Sequence, residues 1–257
     1  MSATQPTLVF LHGFAESPEI WTDFTRGFPT RYRVLTPTLP GHGPNPQPVA
    51  DYAMEAQARA VLAELDAAGA DKVLLVGHSM GGYVALALAE AHPKRVAGLV
   101  LFHSTALPDP AEKQAARDES AGFVRRHGVE KYMRSAIRPL LAPANRKRLA
   151  AELKQLEETA AVTPETTILG CLEAMKHRPD NTHILRDAKF PVLFLGGHDD
   201  PAVPLETLLP QLALPAQSHA VLLRGVGHLG FIEEPELTRR AVLDFAAGVL
   251  GEIDTGK

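Results

Sequence analysis

Six short apolar runs punctuate the chain: Thr7–Leu11, Arg33–Thr38, Lys72–Val76, Val96–Phe102, Pro191–Leu195 and His219–Leu223. Most are continuous stretches of Val, Leu and Phe without the polar alternation of a strand that faces water. That is the pattern of parallel strands covered on both faces. Longer segments of helical character, Tyr52–Ala68, Met80–His92 and Pro235–Leu250, lie between or after them. Strands alternating with helices predict an α/β fold with a mainly parallel sheet.

The rhythm breaks once. After Ser104 the next strand pattern does not begin until Pro191, whereas a crossover between parallel strands needs only about a dozen residues. The excess carries four helical patterns, Ala111–His127, Val129–Leu141, Asn145–Ala160 and Pro164–His177, broken at Gly128, between Pro139 and Pro143, and at Thr163-Pro164. Thr163 is expected to cap the last of these, with Pro164 as its first residue. The chain is therefore divided into a core, residues 1–104 and 190–257, and an inserted helical cap, residues 105–189. The one biased patch is a stiff loop, Pro44-Asn45-Pro46-Gln47-Pro48.

Composition narrows the classes. With 257 residues, 45% hydrophobic, the chain is long enough to bury a full core without staples; a chain of this size hides roughly 70–75% of its unfolded surface. The single cysteine, Cys171, excludes an internal disulfide framework and a cysteine-rich metal site. Inside a cap helix it reads as a buried small hydrophobe. Charge is near balance at −4 with no Lys/Arg block, so no nucleic-acid partner is expected. The start, Met1 to Pro6, has no basic targeting region, and no apolar run approaches a membrane span. A cytoplasmic protein with no membrane partner is the expectation.

The chemistry begins at Gly77-His78-Ser79-Met80-Gly81-Gly82, where a strand pattern gives way to a helix pattern. The spacing G-x-S-x-G allows a sharp turn that presents the serine hydroxyl at the sheet edge. A serine needs a base, and the base needs an orienting group. His228, in Gly225-Val226-Gly227-His228-Leu229-Gly230, is the candidate base; its glycines suggest an exposed loop imidazole. The acid is sought between them in the chain, where His198-Asp199-Asp200 follows a strand and offers two carboxylates. Donors for a developing oxyanion are assigned to the amides of Met80, at a helix N-terminus, and Phe14, in the loop after the first strand. His103, Met133, Met175 and Leu229 are candidate pocket residues, although Met and aromatic residues at helical spacing are more often core. His12, His42 and His78 lack the carboxylate or thiol spacing of a zinc site. Neither metal nor cofactor is expected.

Five blocks in order, His12-Gly13-Phe14, Leu39-Pro40-Gly41-His42-Gly43, Gly77 to Gly82, Gly197-His198-Asp199-Asp200 with Pro204, and Gly227-His228 with Glu233-Glu234-Pro235, resemble the α/β-hydrolase superfamily. The resemblance implies Ser79 as nucleophile, His228 as general base and acid, and Asp200 rather than Asp199 as the orienting acid. Within the superfamily the chain looks like small lidded esterases and lactonases. Such proteins usually begin with an antiparallel hairpin, for which six residues before Thr7 are too few. About six strands are therefore expected, with an edge covered by the cap, a helix or a second subunit in a homodimer. The expected activity is hydrolysis of carboxylic esters of small or medium size through an acyl-enzyme. Rival readings with the same residues are a C–C bond hydrolase, a perhydrolase or acyltransferase, and a slow-turnover ligand sensor.

Overall fold

The computed structural model describes residues 5–44, 46–47 and 49–251. The first four residues read for a targeting segment, and Asn45 and Pro48 of the proline loop, lie outside the described residues. The strands are β1 (Thr7–Leu11), β2 (Arg33–Leu35), β3 (Val73–His78), β4 (Val96–Phe102), β5 (Val192–Gly197) and β6 (Ser218–Leu223). They form one sheet in the order β2-β1-β3-β4-β5-β6, and every neighbouring pair is parallel. β2 is shorter than its apolar run, while β3 and β5 run on into the polar and glycine residues that carry the candidate chemistry.

The helices are α1 (Thr22–Thr25), α2 (Met54–Ala67), α3 (Met80–Ala91), α4 (Ala111–His127), α5 (Val129–Ile137), α6 (Ala150–Ala161), α7 (Glu165–Lys176), α8 (Thr182–Asp187), α9 (Leu205–Leu208), α10 (Gly230–Glu233) and α11 (Pro235–Leu250). Successive strand residues feed opposite faces, which explains why the strands are apolar throughout. Val9, Leu11, Leu75, Leu99 and Leu101 pack with α2 and α3. Leu8, Phe10, Leu74, Val76 and Val100 pack instead with Trp21, Phe24 and α11. Among the described residues no helix is long and apolar enough to cross a membrane.

Helices α4 to α8 occupy the long interval between β4 and β5, with α4 against α7 and α5 against α6. They do not enclose a separate core. Val124, Met133, Ile168, Cys171 and Met175 join the cluster on the α2–α3 face. Leu141, Leu149 and Leu153 join the other. Gly128 breaks α4 from α5 with a left-handed φ of 82° that its missing Cβ permits. The expected cap at Thr163 is displaced by one residue: Pro164 is the N-cap, and its carbonyl accepts from Thr167 and Ile168. The helix expected from Asn145 begins only at Ala150, after a series of turns.

Candidate active site

β3 delivers Ser79 into a backbone conformation that L-residues rarely adopt, φ 50° and ψ −117°, immediately before α3. The turn is possible because its flanking residues lack side chains. A Cβ on Gly77 would lie 2.5 Å from the Gly81 carbonyl oxygen, and one on Gly81 would lie 2.4 Å from that of Leu11. The Ser79 amide donates to Phe102 at 3.0 Å, and the Ser104 hydroxyl donates to the Ser79 carbonyl at 2.8 Å. Strained backbone held by its surroundings in this way marks functional sites.

The adjacent carboxylates after β5 part company. Asp199 is exposed, whereas Asp200 is buried and accepts from the Ala202 and Val203 amides at 2.8 and 2.9 Å through Oδ1. His228 Nδ1 lies 3.0 and 2.9 Å from the two oxygens of Asp200. A carboxylate only accepts, so Nδ1 carries a proton, and in the neutral ring Nε2 is the acceptor nitrogen. Burial opposes the Asp200 charge, but His228 and His103 beside it hold the carboxyl well below the usual carboxylate range. His228 is buried, not exposed as its glycines suggested. Those glycines serve close packing: a Cβ on Gly227 would stand 2.2 Å from the Leu140 carbonyl oxygen.

His103 requires a correction. It does not line the cavity beside Ser79; it lies fully buried behind Asp200 with a left-handed φ of 49° and donates Nδ1–H to Oδ2 at 3.0 Å. Nε2 has no partner among the described residues, and a Cβ on neighbouring Gly230 would lie 2.4 Å from it. A second proton would have nowhere to bond. Burial accordingly pushes this imidazole down to about 4, against the pull of Asp200. Leu229 is also misplaced by the sequence reading, since it packs in the core on the α11 face.

The Phe14 and Met80 amides are free of hydrogen bonds to described residues, and Met80 N begins the 12-residue helix α3. The loop carrying Phe14 is held by Glu16, whose carboxylate accepts from the Gly13 amide at 2.5 Å and from His78 Nδ1 at 3.0 Å. His78 Nε2 donates in turn to the His228 carbonyl at 3.0 Å. With acceptors at both nitrogens, His78 is held as an imidazolium. Burial works against that, yet the Glu16 carboxylate raises it above the ordinary histidine value. His12 is the converse: Nδ1 donates to Gly13 and Nε2 accepts from the Leu39 amide, so the ring is neutral. Burial pushes it down to about 3.

Sequence reasoning also missed Glu233. Buried on α10, it accepts from the Gly227 and Leu229 amides with one oxygen and from the Ala142 amide and Asn145 Nδ2 with the other, at 2.8–3.3 Å. It thereby ties the His228 loop to the insert. The only signal for it was its place in the last sequence block.

Ser79 and His228 open into one cavity of about 230 Å³, with Phe14, Met133 and Met175 on its wall. Three larger hollows, about 460, 410 and 290 Å³, lie beside β6 and α11, beside the start of α4, and between Gly43 and the end of α6; none reaches Ser79. Among the described residues Ser79 Oγ has no hydrogen bond to the imidazole, a contact that in such pairs often tightens only with substrate bound. His103, Asp200 and His228 do place ligand atoms within 4.8 Å of one another. Both imidazoles, however, spend Nδ1 as donors to the carboxylate, which accounts for the cluster without an ion. Cys171 is buried in α7, and burial pushes its thiol up to about 12.

A parallel sheet with a strained serine at the head of the helix after β3, an acid after β5 and a histidine after β6 defines the class of α/β hydrolases. The profile of the alpha/beta hydrolase fold matches residues 6–235, and the chain belongs to that family. It superposes on a thermophilic esterase from Thermogutta terrifontis with a TM-score of 0.88, covering 95% of this chain and 90% of that one at 28% identity. A pimeloyl-[acyl-carrier protein] methyl ester esterase of Methylococcus capsulatus is 31% identical across 96% of both chains. A 2-hydroxy-6-oxononadienedioate/2-hydroxy-6-oxononatrienedioate hydrolase of Paraburkholderia phymatum is 30% identical over 95% of this chain and 88% of its own.

Proposed function

We propose that the protein is a serine hydrolase that cleaves carboxylic esters of small or medium size through an acyl-enzyme on Ser79. The observation that carries this reading is the convergence on one cavity of Ser79, in its strained turn, and of His228, whose tautomer Asp200 fixes. In the first step Ser79 Oγ attacks the ester carbonyl while His228 Nε2 takes the hydroxyl proton. Negative charge builds on the former carbonyl oxygen, where the Phe14 and Met80 amides donate; one such donor is worth about 2.7–4 kcal/mol of barrier. Collapse breaks the ester C–O bond, and His228 returns the proton to the departing alcohol. Water then repeats the sequence and releases the acid. The similarity to a methyl ester esterase supports an ester as substrate.

Turnover of a p-nitrophenyl ester series tests this directly. The native protein should hydrolyse short and medium chains, and Ser79→Ala should reduce kcat by at least about a thousandfold. Hydrolysis at native rate by Ser79→Ala would overturn the assignment. A second reading, cleavage of a C–C bond beside a ketone, is supported by the full-length similarity to the dienedioate hydrolase. Turnover of such a diketone faster than any ester would favour it.

A further inference from the structure

Asp109, just before α4, has a fully buried side chain and is met by three cations. Arg178 Nη1 stands 2.6 Å from Oδ1, Arg117 Nε bonds Oδ2, and Lys113 Nζ lies 3.8 Å from Oδ1. One carboxylate thus faces three positive charges, an excess of two. Both terminal nitrogens of Arg178 are engaged: they also donate to the Met175 and Leu107 carbonyls, and the guanidinium stacks 4.0 Å over the Tyr83 ring. Those of Arg117 are not. Only its Nε is engaged, and among the described residues neither terminal nitrogen has a partner, although the side chain is just 14% exposed. Arg117 and Lys113 are part of the wall of the cavity that holds Ser79 and His228. Among the described residues the one carboxylate on that wall, Glu16, is already paired with His78.

The cavity wall therefore carries two chemical features, the Ser79–His228 pair and the Arg117–Lys113 cations, and an apolar lining that includes Met133, Ile137 and Met175. A guanidinium with a free two-nitrogen edge matches the geometry of a carboxylate. In a partly dry cavity its surplus charge acts more strongly than in water. We propose that Arg117, with Lys113 beside it, binds an anionic group at the far end of the substrate, so that the preferred esters carry a carboxylate separated from the scissile carbonyl by an apolar chain. This rests on the reading of the Ser79 cavity as the ester site.

The test compares monomethyl esters of glutarate, adipate, pimelate and suberate with methyl alkanoates of matching length, and with acetate esters of ω-hydroxyalkanoates, which place the carboxylate on the alcohol side. Native protein should favour one carboxylated series over the neutral esters in kcat/KM, and the series it favours identifies the side. Arg117→Met should lower that preference about ten- to hundredfold, chiefly through KM, with Arg117→Lys retaining part of it. Lys113→Met leaves the Arg117–Asp109 pair in place and should lower the preference less. A native preference for neutral esters, or a preference that Arg117→Met leaves unchanged, overturns the proposal. Binding separates this from the hydrolytic reading. Ser79→Ala protein should bind monomethyl suberate more tightly than neutral methyl octanoate by calorimetry, and the added Arg117→Met should abolish the difference. Were no ester hydrolysed, a difference between these two ligands sensitive to Arg117 would still support the anion site; equal binding of the two would refute it.

Discussion

Acidification should unfold the protein through its buried neutral histidines, and His103 makes the argument testable. Its ring is closed off at Nε2 by Gly230 and held down to about 4, whereas an unfolded chain titrates it near 6.5. Between those values the unfolded state binds the extra proton, so stability rises with pH. The contribution is fully present above about pH 6.5 and is lost as pH falls towards 4. At pH 5 the loss amounts to about 2 kcal/mol for His103, and His12, held down to about 3, loses about 2 kcal/mol more. His42, lowered by burial, acts in the same direction. The other shifted active-site groups are common to the native protein and the His103 variant. His78 is raised, so its contribution is present below 6.5 and lost only as pH rises through its folded value. Asp200 and Glu16 are lowered, so theirs is lost only below the ordinary carboxylate range. Against a typical stability of about 5–15 kcal/mol, a loss of about 4 kcal/mol from His103 and His12 between pH 8 and 5, offset in part by His78, is readily measured. His103→Asn isolates one share: Asn tolerates the left-handed backbone, keeps a donor near the position of Nδ1, and does not titrate. Urea unfolding at pH 8, 6.5 and 5 should show a pH dependence about 2 kcal/mol shallower in the variant than in the native protein. Parallel profiles, whatever the offset at pH 8, would refute the neutral buried state of His103.

Three other outcomes follow from the same geometry. Asp200→Asn should reduce ester kcat by about 10⁴-fold, as loss of the orienting acid does elsewhere, while Asp199→Asn, exposed in this structure, should stay within a few-fold; equal losses would contradict the assignment. Glu233→Gln replaces two acceptor oxygens by one, so that two of its four donors face an NH₂ group; a loss of about 3 kcal/mol in urea stability and a lower kcat are expected, and unchanged values would show that the His228 loop needs no such tie. Cys171, buried and held as a thiol, should react with a disulfide reagent only at the rate of local or global opening, and immediate labelling of folded protein would place it at the surface.

What could be read from the chain and what could not divides along one physical line. Strands β1 and β4 were legible to the residue because a strand buried on both faces writes an unbroken apolar run, and the turn at Ser79 was legible because its glycines flank the serine within five residues, Gly77 being demanded by the backbone of Gly81 itself. The polar contacts that complete the site join residues far apart in sequence: His103 and Asp200 are separated by 97 positions, Glu16 and His78 by 62, Ala142 and Glu233 by 91. Each depends on strand order, which local pattern does not encode, so His103 read as a pocket residue and Glu16 not at all. The same long-range pairing decides protonation. His12, His78 and His103 each sit at the C-terminal end of a strand or just beyond it, yet their partners make the first and third neutral and the second cationic. Desolvation presses all three towards neutrality, and only His78 meets an acceptor at both nitrogens, one of them the carboxylate of Glu16. His103 also meets a carboxylate, so it is the second acceptor at His78 Nε2, not the carboxylate alone or the count of histidines, that sets the charge around Ser79.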